Sequence, residues 1–174
     1  MIVCPYCQAE NIEGVDDCEE CNQPLTEMSV RIPASSVEAD LVRDRIERLW
    51  PKSPSTVSPE TTVGNVLNKM VDEKIGCVMV VDQGKLVGIF SERDALMKIN
   101  TDAPRLANLP ISQFMTADPV TLETNDKIAF ALHKMNIGGY RHVPILFEKK
   151  LAGVISIRDI LRYLTERIAA TARR

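Results

Sequence analysis

The chain has 174 residues, of which 45% are hydrophobic, and its formal net charge at pH 7 is −3. That length is enough for one globular domain with a small appendage. No apolar run approaches the roughly 20 residues that a membrane span requires, and no charged stretch followed by an apolar one stands at the start. We therefore expect a cytoplasmic protein that makes no contact with the membrane.

Charge is distributed unevenly along the chain. Residues 1–30 contain seven acidic residues and no lysine or arginine, so this stretch carries −7 and the remainder +4. The phosphates of nucleic acids are bound by lysine and arginine, which the N-terminal stretch lacks. We expect this stretch to avoid nucleic acid and to contact a protein partner or serve a structural role.

Four of the five cysteines form two Cys-x-x-Cys pairs near the N-terminus, and the candidate metal ligands are Cys4, Cys7, Cys18 and Cys21. Two such pairs suit tetrahedral zinc, because each pair places two sulfur atoms on one side of the ion. A segment this short cannot bury a core, so metal binding would supply most of its folding free energy. The alternative is a disordered tail with four unligated cysteines. A redox role has less support, since no βαβ pattern surrounds the pairs.

The pattern Cys-Pro-Tyr-Cys-Gln-Ala-Glu-Asn, followed by Cys-x-x-Cys-Asn-x-Pro-Leu, resembles the small zinc ribbons attached to many microbial proteins. The resemblance implies a ribbon with structural zinc over residues 1–28, and the composition of residues 29–36 predicts a linker. In that family glycine usually follows each pair, because glycine accepts a left-handed backbone. Gln8 and Asn22 stand there in this chain, and we expect more strain at Gln8.

A lead-in helix is predicted over residues 37–50, with Ser36 as its N-cap. Its apolar stripe, which we expect to pack on the main domain, consists of Val37, Leu41, Val42, Ile46, Leu49 and Trp50.

The rest of the chain contains one unit twice, at a constant offset of 65 residues. Both copies end in an apolar strand that enters a helix through Gly-x-x-Ser-x-Arg-Asp, at residues 88–94 and 153–159. Hydrophobic periodicity predicts the order strand, helix, strand, strand, helix in each copy. The first copy covers residues 51–100 and the second 111–165, and residues 166–174 extend the last helix.

This order, with its Gly-x-x-Ser-x-x-Asp turn, resembles the cystathionine β-synthase (CBS) domain, of which two in tandem form a Bateman module. Typical of the second copy are Phe114-Met115-Thr116-x-Asp118-Pro119-Val120-Thr121 and Arg141-His142-Val143-Pro144-Ile145. The first copy departs at its start, where Trp50-Pro51 replaces Met115-Thr116. The resemblance covers about residues 50–165 and implies an α+β fold with two β-α-β-β-α repeats in a pseudo-two-fold pair. It also implies a homodimer formed through the repeats.

The resemblance further implies a regulatory module that binds an adenosine-containing ligand between the repeats, most often AMP, ADP or ATP, and sometimes S-adenosylmethionine. Asp94 and Asp159 would accept hydrogen bonds from the ribose hydroxyls, with Ser91 and Ser156 beside them. The helix N-terminus at each turn suits a phosphate, and the preceding glycine would leave room for the ligand. Ser-x-x-Asp is also a helix-capping motif, and for either copy alone capping is a better explanation than ligand binding. The identical register of the two copies favours ligand binding.

The two turns differ in the basic residues near them. Arg141 and His142 of the second copy replace Gly76 and Cys77 of the first, and members of the family use basic residues there to hold phosphate. The turn with Ser156, Arg158 and Asp159 is therefore expected to be the better phosphate site, and the turn with Ser91, Arg93 and Asp94 the weaker. Alternatively, His142 is a strand-end histidine bonded to backbone. The expected adenine contacts are Thr56, Val57, Thr121 and Leu122.

Neither of the two histidines lies in a recognisable nucleophile motif, so we expect no enzymatic activity. The first hypothesis is a sensor of adenosine nucleotides that signals through the acidic ribbon to a protein partner. A second is a transcription or RNA-associated regulator that uses the ribbon and the arginines of the last helix. A third is a structural adaptor that binds no ligand.

Overall fold

The computed structural model describes residues 2–12, 15–25 and 35–171. Most of the predicted linker, 29–36, and the last residues of the predicted extension, 172–174, lie outside the described residues. The chain forms two units. One comprises Met1–Trp50, Glu123–Arg141 and Ile155–Arg174, and the other comprises Pro51–Leu122 and His142–Val154. Each unit thus combines segments from distant parts of the sequence.

The N-terminal segment is a small hairpin of two cysteine turns. Strand β1 (Ile2–Val3) pairs antiparallel with β2 (Glu10–Asn11). The residues after the two cysteine pairs have the predicted left-handed backbone, with φ of 63° at Gln8 and 53° at Asn22. Asparagine tolerates this conformation better than glutamine does, so the first turn carries the greater strain.

The lead-in helix is shorter than predicted. Helix α1 (Ser36–Arg43) has Ser35, not Ser36, as its N-cap, whose Oγ accepts the Glu38 N–H at 3.1 Å. The helix stops at Asp44, where the backbone becomes extended, and a 3₁₀ helix follows at Ile46–Leu49. The predicted continuous helix 37–50 is therefore wrong, because the chain turns at Asp44.

The predicted apolar stripe is buried only in part. Ile46 and Leu49 are buried, whereas Trp50 is 82% exposed and has a left-handed backbone with φ of 53°. The 3₁₀ helix ends at Trp50, so its indole does not continue the apolar face of Ile46 and Leu49.

The first repeat has the predicted order of elements. They are β3 (Thr56–Val57), α2 (Val63–Asp72), β4 (Cys77–Asp82), β5 (Lys85–Ser91) and the short helix α3 (Glu92–Asp94), which continues as a π-helix at Ala95–Ile99. Apolar residues three and four positions apart give α2 one buried face, consisting of Val63, Val66 and Met70. This face packs in one core cluster with Val78, Val80 and Phe90.

The segment that follows the first repeat consists mainly of short helical turns. It contains short helical turns, the last of them at Ile111–Gln113, with α4 (Ala103–Leu106) between, and ends in strand β6 (Thr116–Ala117). Ile111 is fully buried in the core cluster of the first repeat. The connector therefore packs against the first repeat.

The second repeat has the same order of helices and strands as the first. Its elements are β7 (Leu122–Glu123), α5 (Ile128–Gly138), β8 (His142–Phe147), β9 (Lys150–Ser156) and α6 (Ile157–Thr171). The buried residues of α6 are Asp159, Ile160 and Tyr163, while Leu161 is 54% and Ile168 59% exposed. None of the helices in the described ranges has the length and apolar character needed to cross a bilayer.

Edge strands cross between the repeats. The first sheet has the order β3-β4-β5-β6, with β3 parallel to β4 and the other neighbours antiparallel. The second has the order β7-β8-β9. Strand β6 of the second repeat pairs with β5 of the first, and Lys52 of the first repeat forms an antiparallel bridge with Val154 of the second. Each repeat therefore lends a short edge segment to the other.

Candidate functional site

The turn that ends β5 is a complete capping box. The Oγ of Ser91 donates to Oδ2 of Asp94 at 2.6 Å, and the backbone N–H of Ser91 donates to the same oxygen at 2.9 Å. The N–H of Asp94 donates to Ser91 Oγ at 3.4 Å. Serine and aspartate thus satisfy backbone groups at the start of the helix.

The second turn has the same hydrogen bonds from serine to the aspartate carboxylate. The Oγ and N–H of Ser156 donate to Oδ2 of Asp159 at 2.6 and 2.8 Å. The capping explanation therefore describes a real set of bonds in both repeats. It does not compete with ligand binding, because it engages only one of the two oxygens of each carboxylate.

The other carboxylate oxygen of each aspartate contacts a cation one helical turn later. Oδ1 of Asp94 lies 2.8 Å from Lys98 Nζ and accepts Thr116 Oγ1 at 3.1 Å. Oδ1 of Asp159 accepts Arg162 Nη2 at 3.0 Å. Oδ2 therefore builds the turn in both repeats, while Oδ1 faces a side chain that can move.

Burial and pairing act in opposite directions on Asp94. Burial alone raises the pKa of its carboxyl group, but the hydrogen bonds from Lys98 and Ser91 outweigh burial and lower the pKa below its ordinary value. The group is therefore a carboxylate at neutral pH. The side chain of Asp94 is 12% exposed and that of Asp159 only 3%, so the first turn is the more open of the two.

The glycines before the two turns do not leave room for a ligand, contrary to our expectation. A Cβ on Gly88 would overlap the thioether of Met115. A Cβ on Gly153 would lie 2.7 Å from Cβ of Pro51 and 3.2 Å from the Lys52 carbonyl oxygen. The crossing segments of the opposite repeat fill the space, so these glycines are needed for packing.

Arg141 and His142 lie at the start of β8. Arg141 is exposed, and its carbonyl accepts the Ile157 N–H at 2.9 Å, as the Gly76 carbonyl accepts the Glu92 N–H at 3.0 Å in the first repeat. The half-buried His142 imidazole lies against Gly76, where a Cβ would be 2.8 Å from Cε1. Gly76 thus makes room for the imidazole, an asymmetry between the repeats that the sequence alone did not reveal.

The remaining predicted residues lie at separate places. Arg93 and Arg158 are exposed just after their serines, and Thr56 and Val57 form β3 beside β4. Thr121 lines a cavity of about 330 Å³ with the two hairpin turns, and the lining includes neither Ser91 nor Asp94. Leu122 is 4% exposed and belongs to the core.

Sequence reasoning missed the partners of the two aspartates. Lys98 and Arg162 follow them by four and three residues, the spacings that bring helical side chains together, and this spacing was the available signal. Thr116 belongs to the Met115-Thr116 motif, but its contact with Asp94 depends on the crossing of β6.

Two arginines of α6, Arg162 and Arg167, are engaged in ion pairs. Arg167 Nη2 lies 2.7 Å from Asp44 and its Nη1 3.6 Å from Asp40, while Arg162 binds Asp159. Nucleic-acid binding through these two residues would first have to break those pairs.

The four N-terminal cysteines come together in one cluster. Their sulfur atoms all lie within 4.8 Å of one another, and the separations are 3.6 Å for Cys4 and Cys21 and 3.5 Å for Cys7 and Cys18. These distances far exceed the roughly 2.05 Å of a disulfide bond. The residues therefore fit a metal site with four sulfur ligands.

The two cysteine turns have matching hydrogen bonds. Cys4 O accepts Gln8 N–H at 2.9 Å, and Cys18 O accepts Asn22 N–H at 2.8 Å. Burial by itself raises the pKa of Cys18, but the N–H groups of Cys21 and Glu20 outweigh burial and lower the pKa to about 6. Cys18 is thus a thiolate at neutral pH, the form that binds metal.

A duplicated β-α-β-β-α unit, with crossing edge segments and a Ser-x-x-Asp turn in each copy, defines a tandem-repeat module. The chain belongs to the CBS domain family, whose model matches residues 46–101 and 111–166. The predicted tandem repeat is therefore confirmed. Proteins of this family have regulatory, ligand-binding roles.

The chain is similar to several known proteins. It is 32% identical over 112 residues to a 17.7 kDa protein of Acidianus ambivalens, a match that covers 63% of this chain and 66% of the relative, just under two thirds. The CBS-domain containing protein ATU1752 from Agrobacterium tumefaciens has a TM-score of 0.65 at 29% identity, covering 69% of this chain and 98% of that one. The CBS domain protein PAE2072 from Pyrobaculum aerophilum, solved in complex with AMP, has a TM-score of 0.62 at 25% identity, covering 73% and 99%.

Proposed function

We propose that this chain is a regulatory protein that binds AMP, ADP or ATP at the repeated Ser-x-x-Asp turns of its CBS pair. The observation that carries the proposal is the division of roles within each carboxylate. Oδ2 of Asp94 and of Asp159 holds the helix start, while Oδ1 contacts the cationic side chain of Lys98 or Arg162. The AMP-bound relative PAE2072 supports the choice of ligand class.

Binding would proceed by exchange of partners at Oδ1. The ribose hydroxyls can donate to this oxygen when Lys98 or Arg162 moves aside. The released cation stays on the first turns of the same helix, where it can meet a phosphate together with the helix N-terminus. The exposed Arg158 lies within the second turn, and the exposed Arg141 is held beside it by the Ile157 N–H, so both support a preference for phosphate there.

The test is ligand binding by the full chain, measured by titration calorimetry and by the shift in melting temperature with AMP, ADP, ATP and S-adenosylmethionine. Asp94→Asn and Asp159→Asn retain an acceptor for the serine N–H but lose the negative charge, so each is expected to weaken binding at its own turn by at least about tenfold. Asp82→Asn, an exposed position in the first hairpin, is the matched control. If no adenosine compound gives heat or raises the melting temperature, the proposal is wrong.

Zinc is the proposed metal of the four-cysteine cluster. Four thiolates about 2.3 Å from a tetrahedral ion are separated by about 3.8 Å, close to the observed separations of 3.6 and 3.5 Å. Elemental analysis is expected to find one zinc per chain, and none in a Cys4→Ser, Cys21→Ser variant. Less than half an equivalent in the wild-type protein would contradict the assignment.

A homodimer formed through the helices of the repeats is also proposed. Leu96 and Leu161 occupy equivalent positions of the two repeats and are 72% and 54% exposed. Large apolar side chains repeated at one exposed position suit an interface between copies. Light scattering is expected to give twice the 19.4 kDa chain mass, and Leu161→Glu is expected to give the monomer. A wild-type monomer at all concentrations would refute the dimer.

A further inference from the structure

The second cysteine turn contacts helix α5 of the second repeat through hydrogen bonds. Nδ1 of His133 lies 2.6 Å from Gln23 Nε2, and Nε2 of His133 lies 2.8 Å from the Cys21 carbonyl oxygen. A carbonyl can only accept, so Nε2 carries the proton and Nδ1 accepts from the Gln23 amide. Both ring nitrogens of this half-buried histidine are therefore engaged by the cysteine turn.

Lys134, the next residue of α5, makes a further contact. Its Nζ donates to the Glu20 carbonyl oxygen at 3.2 Å and lies 5.2 Å from the centre of the Phe130 ring. The stretch of residues 20–23 thus contacts two successive side chains of α5. This part of the chain belongs to the acidic N-terminal segment, which favours a lysine as partner.

The corresponding helix of the first repeat has different side chains at these places. At the offset of 65 residues, His133 corresponds to the exposed Asn68. Lys134 corresponds to Lys69, which pairs at 2.6 Å with Glu73, and the position of Glu73 is Gly138 in α5. The second repeat therefore lacks the acid that holds the lysine in the first, and its lysine reaches the cysteine turn.

The geometry of the cysteine turn depends on the metal ligands. The Cys18 N–H donates to the Gln23 carbonyl at 2.8 Å, and the Gln23 N–H donates to the Cys21 sulfur. A metal bound to Cys18 and Cys21 would fix the turn that presents the Glu20 and Cys21 carbonyls. The two carbonyl groups that contact α5 therefore belong to the turn whose conformation the metal would fix.

We propose that residues 20–23 form a metal-dependent clamp on His133 and Lys134 of α5, so that the surface recognised by the acidic segment is a helix of its own chain. Metal loading immobilises α5, and by thermodynamic linkage the contact with α5 strengthens metal binding. Helix α5 ends three residues before Arg141, a residue assigned to phosphate in the second repeat. The clamp rests on the zinc assignment of the proposed function and not on the identity of the nucleotide.

The test uses the full chain, with and without zinc, and measures hydrogen–deuterium exchange and zinc affinity by competition with a chelating dye. Removal of zinc is expected to increase exchange in residues 128–138 and leave residues 63–72 unchanged. His133→Asn, which installs the side chain of the first repeat, is expected to increase exchange in 128–138 with zinc bound and to weaken zinc binding by about tenfold. Asn68→Ala, at the equivalent position of α2, is the control and should change neither quantity.

Gln23→Ala tests the same contact from the other side without altering the CBS repeats. It is expected to reproduce the increased exchange in 128–138. If zinc binds to the four cysteines but its removal leaves exchange in 128–138 unchanged, the clamp is refuted and the zinc site stands. If the chain binds no zinc at all, both the zinc assignment and the clamp are refuted, whereas the nucleotide titration remains a separate measurement.

Discussion

Tyr163 Oη donates to Oδ2 of the buried Asp44 at 2.8 Å, joining the end of the lead-in helix to the last helix of the chain. Arg167 donates to the same oxygen at 2.7 Å. Burial alone raises the pKa of Asp44, but Tyr163 and Arg43 outweigh burial and lower the pKa below its ordinary 3.8. Asp44→Asn is expected to reduce the free energy of unfolding by about 2 kcal/mol at pH 7, because it removes the nearer of the two carboxylates that pair with Arg167.

The effect of Asp44→Asn should depend on pH with a definite sign. Because the pKa is lower in the folded protein than in the unfolded one, the contribution of Asp44 is fully present above about pH 4 and is lost as the pH falls through the folded pKa. Denaturant unfolding at pH 7 and pH 3 measures this change. Tyr163→Phe removes one hydrogen bond and is expected to cost about 1 kcal/mol. An Asp44→Asn difference of equal size at both pH values would contradict the account.

The two repeat glycines should differ in their tolerance of alanine. Gly153→Ala is expected to cost about 2 kcal/mol, because Pro51 and the Lys52 carbonyl are held in the backbone of the crossing segment. Gly88→Ala is expected to cost about 1 kcal/mol, since the Met115 side chain can move aside. Thermal unfolding measures both, and Gly88→Ala should couple with Met115→Ala in a double-mutant cycle. If both substitutions leave the free energy of unfolding nearly unchanged, the crossing segments can shift to accommodate the added methyl group.

Substitution of the two serines tests how much capping contributes to the stability of the ligand-free protein. Ser91→Ala and Ser156→Ala are each expected to lower the ligand-free stability by about 1 kcal/mol, because a capping side chain is lost. Ser53→Ala, an exposed serine before β3, is the control. If neither substitution alters the stability of the ligand-free protein, the serine side chains do not stabilise the helix N-termini.

Cysteine labelling should distinguish Cys77 from the four N-terminal cysteines. Burial, with the nearby charge of Glu92, raises the pKa of Cys77 to about 12, and the side chain is 7% exposed. A chelator that removes the metal is expected to unfold the N-terminal cysteine segment, so that its cysteines react with iodoacetamide while Cys77 in β4 does not. Peptide mass spectrometry reads the sites, and rapid labelling of Cys77 without denaturant would show that β4 opens.

Trp50 is the single tryptophan, so its fluorescence reports one position. It lines a cavity of about 570 Å³ with Arg48, Tyr163 and Arg167, and its 82% exposure predicts efficient quenching by acrylamide in the native state. Quenching should change little on unfolding. Strong protection of Trp50 in the native protein would mean that this surface is covered in solution.

Local sequence patterns predicted the helices and strands of the repeats. The features that they did not predict depend on contacts between residues far apart in the chain. The apolar runs of β4 and β5 and the Ser-x-x-Asp turns depend on residues close in the chain, so they could be recognised directly. The break at Asp44 depends on Tyr163, 119 positions away. The contact of His133 with Cys21 spans 112 positions and has no local signature. For the same reason, the filling of the space at Gly88 by Met115 could not be foreseen from the Gly-x-x-Ser pattern.

The crossing of β6 onto β5, matched by the bridge of Lys52 to Val154, bears on how such a chain can arise. A single repeat on its own would leave an open strand edge, which a second identical molecule could close in the same reciprocal way. Joining two copies in one gene makes that association independent of protein concentration. Once joined, the halves are free to differ, so that one copy carries Arg141, His142 and His133 while the other carries Gly76, Cys77 and Asn68.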